Sequence, residues 1–351
     1  MNETTPSIIQ FELPTHLACP LPTEERNMKR DEVRLMVTSD EEKIEHSTFN
    51  HLSTFLQQDD VLVVNTSATL PSALPVTLPG NREGRLHFST KMQGDLWLVE
   101  IRESSGNKTK RWKEGEEGMT FPLPLSASLT LQQKFYNDDQ WLDLWIAAFN
   151  CNRPAEEYLA NHAKPIQYEN LDRVYPLSYY QTYFSFHPGS SEMPSAGRGF
   201  TVSLIERLLK KGISIVPVLL HTGVSSVEEH ETPYPEYMEI DPVAAATINH
   251  AKQHGRRIIA VGTTAIRAIE TAADEHGNVM SYRGNTDLFI EDGYTMKVTD
   301  GLLTGFHEPN ASHLNILQTV AGFDHINNAY KEAIKREYYW HQFGDLHLIL
   351  P

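Results

Sequence analysis

The sequence predicts an α/β protein whose main domain, with a mainly parallel sheet, is interrupted by a smaller inserted β-barrel domain. Two observations carry this. From 201 to 275, helical patterns alternate with short apolar runs, as in a parallel sheet covered by helices. Between Ser67 and His162, Pro71, Pro75, Pro79, Gly80, Gly84, Gly94, Gly106, Gly115 and Gly118 punctuate short runs, the texture of a small antiparallel sheet or barrel. The expected division is 1–66 and 163–351 for the main domain and 67–162 for the insertion.

Near the start, prolines in FELPTHLACPLP exclude a long helix, and Val33 to Val37 is read as the first strand, followed by a polar link. Phe49, Leu52, Phe55 and Leu56 have the spacing of a short amphipathic helix, which leads to the apolar strand Val61 to Val64 and a turn at Asn65. Within the insertion, Leu86 to Phe88, Leu96 to Ile101 and Leu129 to Phe135 read as strands; Trp141 to Phe149 fits strand or helix. A long turn-rich connection, YPLSYYQTYFSFHPGSSEMPSAGRGFT, precedes a helix capped by Thr201 and a strand from Ile213 to Leu220. Asp241 and Pro242 open the next helix, through Ala251.

The segment from Arg256 to Ser312 holds the densest polar chemistry. Ile258 to Val261 reads as a strand, Gly262-Thr263-Thr264 as a tight turn, and Ala265, Ile266, Ala268, Ile269 and Ala272 as a helix. Thr263 or Thr264 is expected to cap that helix, leaving free N–H groups and the positive dipole end to face an anion. Two strands are expected at Thr286 to Ile290 and Tyr294 to Val298, after which Asp300, Thr304 and His307 fall within eight residues. Helical patterns at His313 to Ala321 and His325 to Tyr338, then a strand after Gly344 and Asp345, close the chain.

Composition narrows the classes of function. Forty per cent hydrophobic and 22% charged residues describe a folded globular chain. The formal charge of −16 argues against broad affinity for nucleic acid or anionic membrane, leaving local basic groups: Arg26, Lys29, Arg30 and Arg34, and Lys108, Lys110, Arg111 and Lys113. No apolar run approaches the ~20 residues that span a bilayer, and MNETTPSII lacks signal-peptide features, so a cytoplasmic protein without a membrane partner is expected. Cys19 and Cys151 stand far apart, and His221, His230 and His307 are isolated, so no catalytic metal is expected. Walker, G-x-G-x-x-G and G-x-S-x-G signatures are absent.

Taken in order, FELP, RLMV, DVLVVN, YQTYFSFHPGSSEMPSAGRGFT, VLLHTG, RIIAVGTTAIRAIE, NTDLFIEDGYTMKVTDGLLTGFHEPNAS and AYKEAIKREYYWHQFGD resemble the S-adenosylmethionine:tRNA ribosyltransferase-isomerase family of the queuosine pathway. The resemblance covers nearly all of the main domain and weakens across the insertion. It implies an α/β domain carrying a small β-barrel. It also implies transfer of the ribosyl part of S-adenosylmethionine to the aminomethyl group of a 7-deazaguanine in tRNA, giving epoxyqueuosine and releasing adenine and methionine. S-adenosylmethionine is then a co-substrate and tRNA a partner, with a monomer expected.

Residue by residue, Gly262, Thr263, Thr264, Arg267 and Glu270 match the family's GTT-x-x-R-x-x-E run. Asp300, Thr304, Phe306, His307 and Pro309 match its D-x-L-x-T-N-F-H-x-P pattern, and Gly344 and Asp345 its terminal GD. The match implies that Gly262, Thr263, Thr264, Arg267 and Thr304 bind the co-substrate, with Thr263, Thr264 and Arg267 on its anionic group. His307 would carry the proton, while Asp300 or Asp345 orients it or binds an ammonium. Departures are also present: Ala68 and Ala73 replace two arginines, Gly199 a histidine beside Arg198, Gly305 an asparagine and Glu308 a leucine. The family's second histidine near His230 is lost, leaving Glu236 for the acidic role. A related transfer to a non-tRNA acceptor and a noncatalytic binding protein therefore stay open beside the family reaction.

Overall fold

The computed structural model describes residues 9–39, 43–105, 108–137, 140–168, 170–224 and 234–350. Its larger sheet has nine strands, in the order Tyr282–Thr286, Glu236–Ile240, Ser214–Leu220, Val61–Asn65, Ile258–Val261, Gly301–Gly305, Leu346–Ile349, Arg34–Ser39 and Lys43–Thr48. Val61–Asn65 sits at the centre, parallel to both neighbours. Its continuous apolar run follows from burial on both faces. Val61 and Val63 pack into one core with the helices Pro242–Gln253, Thr263–Thr271, His313–Ala321 and Phe323–Lys335; Leu62 and Val64 pack into another with Leu204 and Leu208 of the helix Val202–Lys210.

The sheet is mixed rather than mainly parallel, with four parallel and four antiparallel pairings. One flank ends in Glu236–Ile240, where buried positions alternate with partly exposed ones as expected of an antiparallel strand with one wet face, and in the edge strand Tyr282–Thr286, where only Thr286 is buried. The other ends in Lys43–Thr48, which lies where a polar link was expected; KIEHST has no apolar alternation because it is an exposed edge.

The strand expected at Thr286 to Ile290 instead runs Tyr282–Thr286, and none forms at Tyr294 to Val298. There the N–H groups of Lys297, Val298 and Thr299 bond the buried carboxylate of Glu270, at 2.9, 3.1 and 2.9 Å. A side chain has replaced the ladder.

Residues 73 to 150 form a second, seven-stranded antiparallel sheet. Its end strands, Ala73–Leu78 and Thr120–Pro122, lie against each other, so it curls nearly into a barrel around Leu86, Phe88, Val99, Leu129 and Phe149. The run at Trp141 to Phe149 is strand, within Gln140–Asn150.

Candidate active site

Asn65 ends the central strand and ties three loops together. Its side-chain oxygen accepts from the N–H groups of Leu220 and Ser67, at 3.1 and 3.0 Å. Its amide nitrogen donates to Leu220 O at 2.8 Å and to Thr264 Oγ1 at 3.2 Å. The loops after Val61–Asn65, Ser214–Leu220 and Ile258–Val261 thereby meet beyond the carboxyl ends of their strands, the usual place for a ligand in an open α/β sheet.

Gly262 makes the turn there. Its φ of 90° is closed to ordinary side chains, and a Cβ would stand 3.3 Å from that of Ala196. The N-cap of the helix Thr263–Thr271 is Gly262 itself, with no side-chain cap bond, so neither threonine caps it. Thr263 is instead the first helical residue, and the end is left to face a ligand.

Arg267 lies one turn along this helix. Its guanidinium bonds Leu288 O at 3.1 Å and pairs with the Glu236 carboxylate, whose other oxygen accepts from Gly223 N–H at 2.7 Å. Arg267 Nη2 is enclosed without a hydrogen-bond partner among the described residues. The guanidinium is thus fixed on two sides and keeps its positive charge at this end of the sheet.

His307 follows the strand Gly301–Gly305, at the same end of the sheet. Its Nε2 lies 2.8 Å from Thr304 Oγ1, its N–H donates to Tyr330 Oη at 3.2 Å, and its carbonyl accepts from Trp340 Nε1 at 2.9 Å. The ring stacks on His313, with centroids 4.6 Å apart and planes within 5°. Burial, then the neighbouring His313, His347 and His341, hold its pKa well below the usual imidazole value. Burial and Arg267 bring His313 down to about 4. Both rings are neutral near pH 7, and among the described residues Nδ1 of His307 has no hydrogen-bond partner.

The two aspartates stand differently. Asp300 precedes the strand that His307 follows, and its carboxylate accepts from Ile258 N–H at 2.7 Å. Five extended residues of about 3.3 Å each separate the two ends, roughly 16 Å, so the structure does not bring Asp300 to His307. Asp345 is at the His307 end, since Gly305 pairs with Leu346, but both oxygens are engaged, by Arg34 N–H and Tyr339 N–H at 2.8 Å each. Burial raises the pKa of both aspartates, against these bonds.

Several departures from the family pattern are explained by packing. Ala68 and Ala73 are both buried. A Cβ on Gly199 would stand 2.7 Å from Phe49 Cδ1, so that ring leaves no space for a side chain at 199 without moving. Arg198 is buried against Glu24, Thr23 Oγ1 and the carbonyl of Tyr179, over the ring of Phe343. Glu308 reaches His341 Nδ1 at 3.0 Å, and this contact lowers its pKa. Of the departures, Gly199 and Gly305 line one small cavity, together with Arg198, His341 and Asp345.

The basic group at 108–113 is paired with acids: Lys110 with Glu103, Arg111 with Glu100 and Lys113 with Asp143, around a buried Trp112. The side chain of Lys108 and all of His230 lie outside the described residues. Arg26, Arg30 and Arg34 likewise bond backbone carbonyls of the fold. The helix start at Thr201 faces a carboxylate of the fold itself, since Thr201 Oγ1 donates to Asp31 Oδ2 at 2.7 Å. Among the described residues, no cluster of His, Cys, Asp or Glu could hold a metal ion, and no helix is long and apolar enough to cross a membrane.

Sequence reasoning named His307, Thr304 and Arg267 but missed His313, whose role as a stacking partner has no local signal. It also missed the Ser67 and Ser190 hydroxyls beneath His221, which strand pairing brings together.

The model for "Queuosine biosynthesis protein" matches residues 7–349. A Desulfitobacterium hafniense protein named S-adenosylmethionine:tRNA ribosyltransferase-isomerase is 36% identical, covering 97% of this chain and 98% of its own length. A Desulforamulus reducens protein of the same name is 35% identical, covering 98% and 99%. The crystal structure of S-adenosylmethionine tRNA ribosyltransferase from Thermotoga maritima shares 27% identity over 97% of this chain and 99% of that one, with a TM-score of 0.53. With the match running almost from end to end, this chain belongs to the queuosine biosynthesis protein family.

Proposed function

We propose that this protein transfers and isomerises the ribosyl group of S-adenosylmethionine onto 7-aminomethyl-7-deazaguanine in tRNA, giving epoxyqueuosine with release of adenine and methionine. The observation that carries this reading is the nearly full-length match to relatives named for that reaction. The uniform name favours it over a non-tRNA acceptor or a noncatalytic role. The protein would act as a cytoplasmic monomer, with 1–66 and 163–351 as catalytic unit and 67–162 as inserted barrel.

In this reading, the Thr263–Thr264 helix start and Arg267 Nη2 hold the methionine carboxylate, and Gly262 allows the backbone to approach it. The sulfonium acidifies the ribose C5′ hydrogen. Neutral His307 takes that proton on Nδ1, while Thr304 steadies the ring through Nε2. Loss of adenine, addition of the substrate amine and epoxide closure with loss of methionine follow. Asp345 holds the His341–Asp345 loop in place, and Asp300 serves as a cap at the far end of the sheet.

The test is incubation with S-adenosylmethionine and tRNA bearing the 7-aminomethyl base, measuring adenine release and tRNA nucleoside mass together. Both signals are expected. Adenine without modified tRNA would favour another acceptor, and neither signal from folded protein would refute catalysis.

A further inference from the structure

His221 sits in a rigid arrangement that the account above does not use. Its Nδ1 lies 2.7 Å from Ser67 Oγ, which lies 2.6 Å from Ser190 Oγ, which accepts the N–H of Thr222 at 3.0 Å. Both serines are fully buried. If Nδ1 carried the proton, it would donate to Ser67 and Ser67 to Ser190, leaving the Ser190 hydroxyl proton without an acceptor among the described residues. In the reverse direction, Ser190 donates to Ser67 and Ser67 to Nδ1, and every proton is satisfied. The ring hydrogen then belongs on Nε2.

The ring is also clamped. Tyr237 stacks on one side, with centroids 5.8 Å apart and planes within 22°; a Cβ on Gly189 would lie 2.3 Å from the imidazole, so only glycine leaves room there. Burial, then His187, lower the His221 pKa to about 4 against the opposing effect of Glu239, whose carboxylate is taken by Tyr237 Oη and by Arg283 at 2.9 Å. Nε2 has no hydrogen-bond partner among the described residues and is not enclosed by them. His221 adjoins Leu220, which Asn65 bonds while also bonding Thr264, so it flanks the proposed co-substrate site.

We propose that His221 is a further catalytic residue, presenting Nε2–H as a hydrogen-bond donor to a nitrogen of the departing nucleobase, with Ser67 and Ser190 as positioning residues that fix the tautomer. This rests on the reaction proposed above. As the glycosidic bond breaks, its electron pair passes to the base; the donor stabilises that charge without giving up its proton.

The test has two parts. In the full-length protein with ¹⁵N-labelled histidine, NMR at pH 7 should show the His221 hydrogen on Nε2, with the signal assigned by its loss in His221→Gln, and Ser67→Ala should mix the tautomers. A hydrogen on Nδ1 would overturn the proposal. In single-turnover adenine release, His221→Phe, which keeps the stack but lacks the donor, should lose about 100-fold. His221→Gln, which keeps a donor, should recover part of this, and Ser67→Ala should lower kcat with little change in KM. Wild-type turnover in His221→Phe would refute the inference; if that variant melts early, a His221→Gln rate no different from His221→Ala refutes it instead. Absence of adenine release by the wild type would refute the reaction, while the NMR result would still decide the tautomer.

Discussion

Thr304 Oγ1 lies 2.8 Å from His307 Nε2, across the turn that ends the strand Gly301–Gly305. The hydroxyl is buried and His307 is its hydrogen-bond partner, so it fixes the ring by which the proposed proton leaves. Thr304→Val should lower kcat by about 100-fold, the lower end for a positioned acid–base group, with the melting curve little changed. Thr304→Ser should restore most of it, which steady-state kinetics would read.

The pH dependence has a definite sign. A base works when neutral, and burial with neighbouring histidines holds His307 well below the ordinary imidazole range. The acid limb of kcat should therefore lie below pH ~6.5, the unperturbed value. A limb at or above that pH would assign the base elsewhere.

In the proposed site Arg267 supplies the positive charge for the co-substrate; Glu236 and Leu288 O hold two of its nitrogens, and Nη2 has no partner among the described residues. Loss of a charge-assisted bond of about 1.5–3 kcal/mol predicts that Arg267→Gln raises the S-adenosylmethionine dissociation constant by about 10- to 150-fold. Arg267→Lys should not restore it, because the planar fork is lost. Isothermal titration would measure both.

Phe49 packs directly against Gly199, where an added Cβ would stand 2.7 Å from its ring. Gly199→Ala should cost about 1–3 kcal/mol in urea unfolding, by overpacking. Gly199→His should cost more, and combining it with Phe49→Ala should cost less than the sum of the two changes.

His347 is fully buried, bonded through Nε2 to Thr38 at 2.9 Å, and burial lowers its pKa to about 3. Between that value and ~6.5 the unfolded chain binds the proton and the folded protein does not, so stability rises with pH. The contribution is complete above ~6.5 and is lost as pH falls toward 3, at about 1.4 kcal/mol per pH unit. His347→Gln should flatten the urea-stability profile across that window.

Much of the centre of the fold was legible because strands buried on both faces, such as Val61–Asn65, must be apolar throughout. Lys43–Thr48 was not, since an edge strand carries no such requirement, and Tyr294 to Val298 misled because Glu270 satisfies its backbone in place of a neighbouring strand. At the site, His307 and Thr304 could be read together because only two residues separate them. Asp300 stands only seven residues before His307, yet an extended strand carries it to the other end of the sheet. Arg267 and Glu236 are 31 residues apart, and His221 meets Ser67 over 154; only the fold unites them.

The central claim is that His307 moves the proton that starts transfer from S-adenosylmethionine to tRNA. Its most direct test compares wild type with His307→Ala for adenine release in the presence of tRNA bearing the 7-aminomethyl base, with circular dichroism on both samples. Release by the wild type and none by a folded His307→Ala is the predicted result; equal rates would contradict the claim.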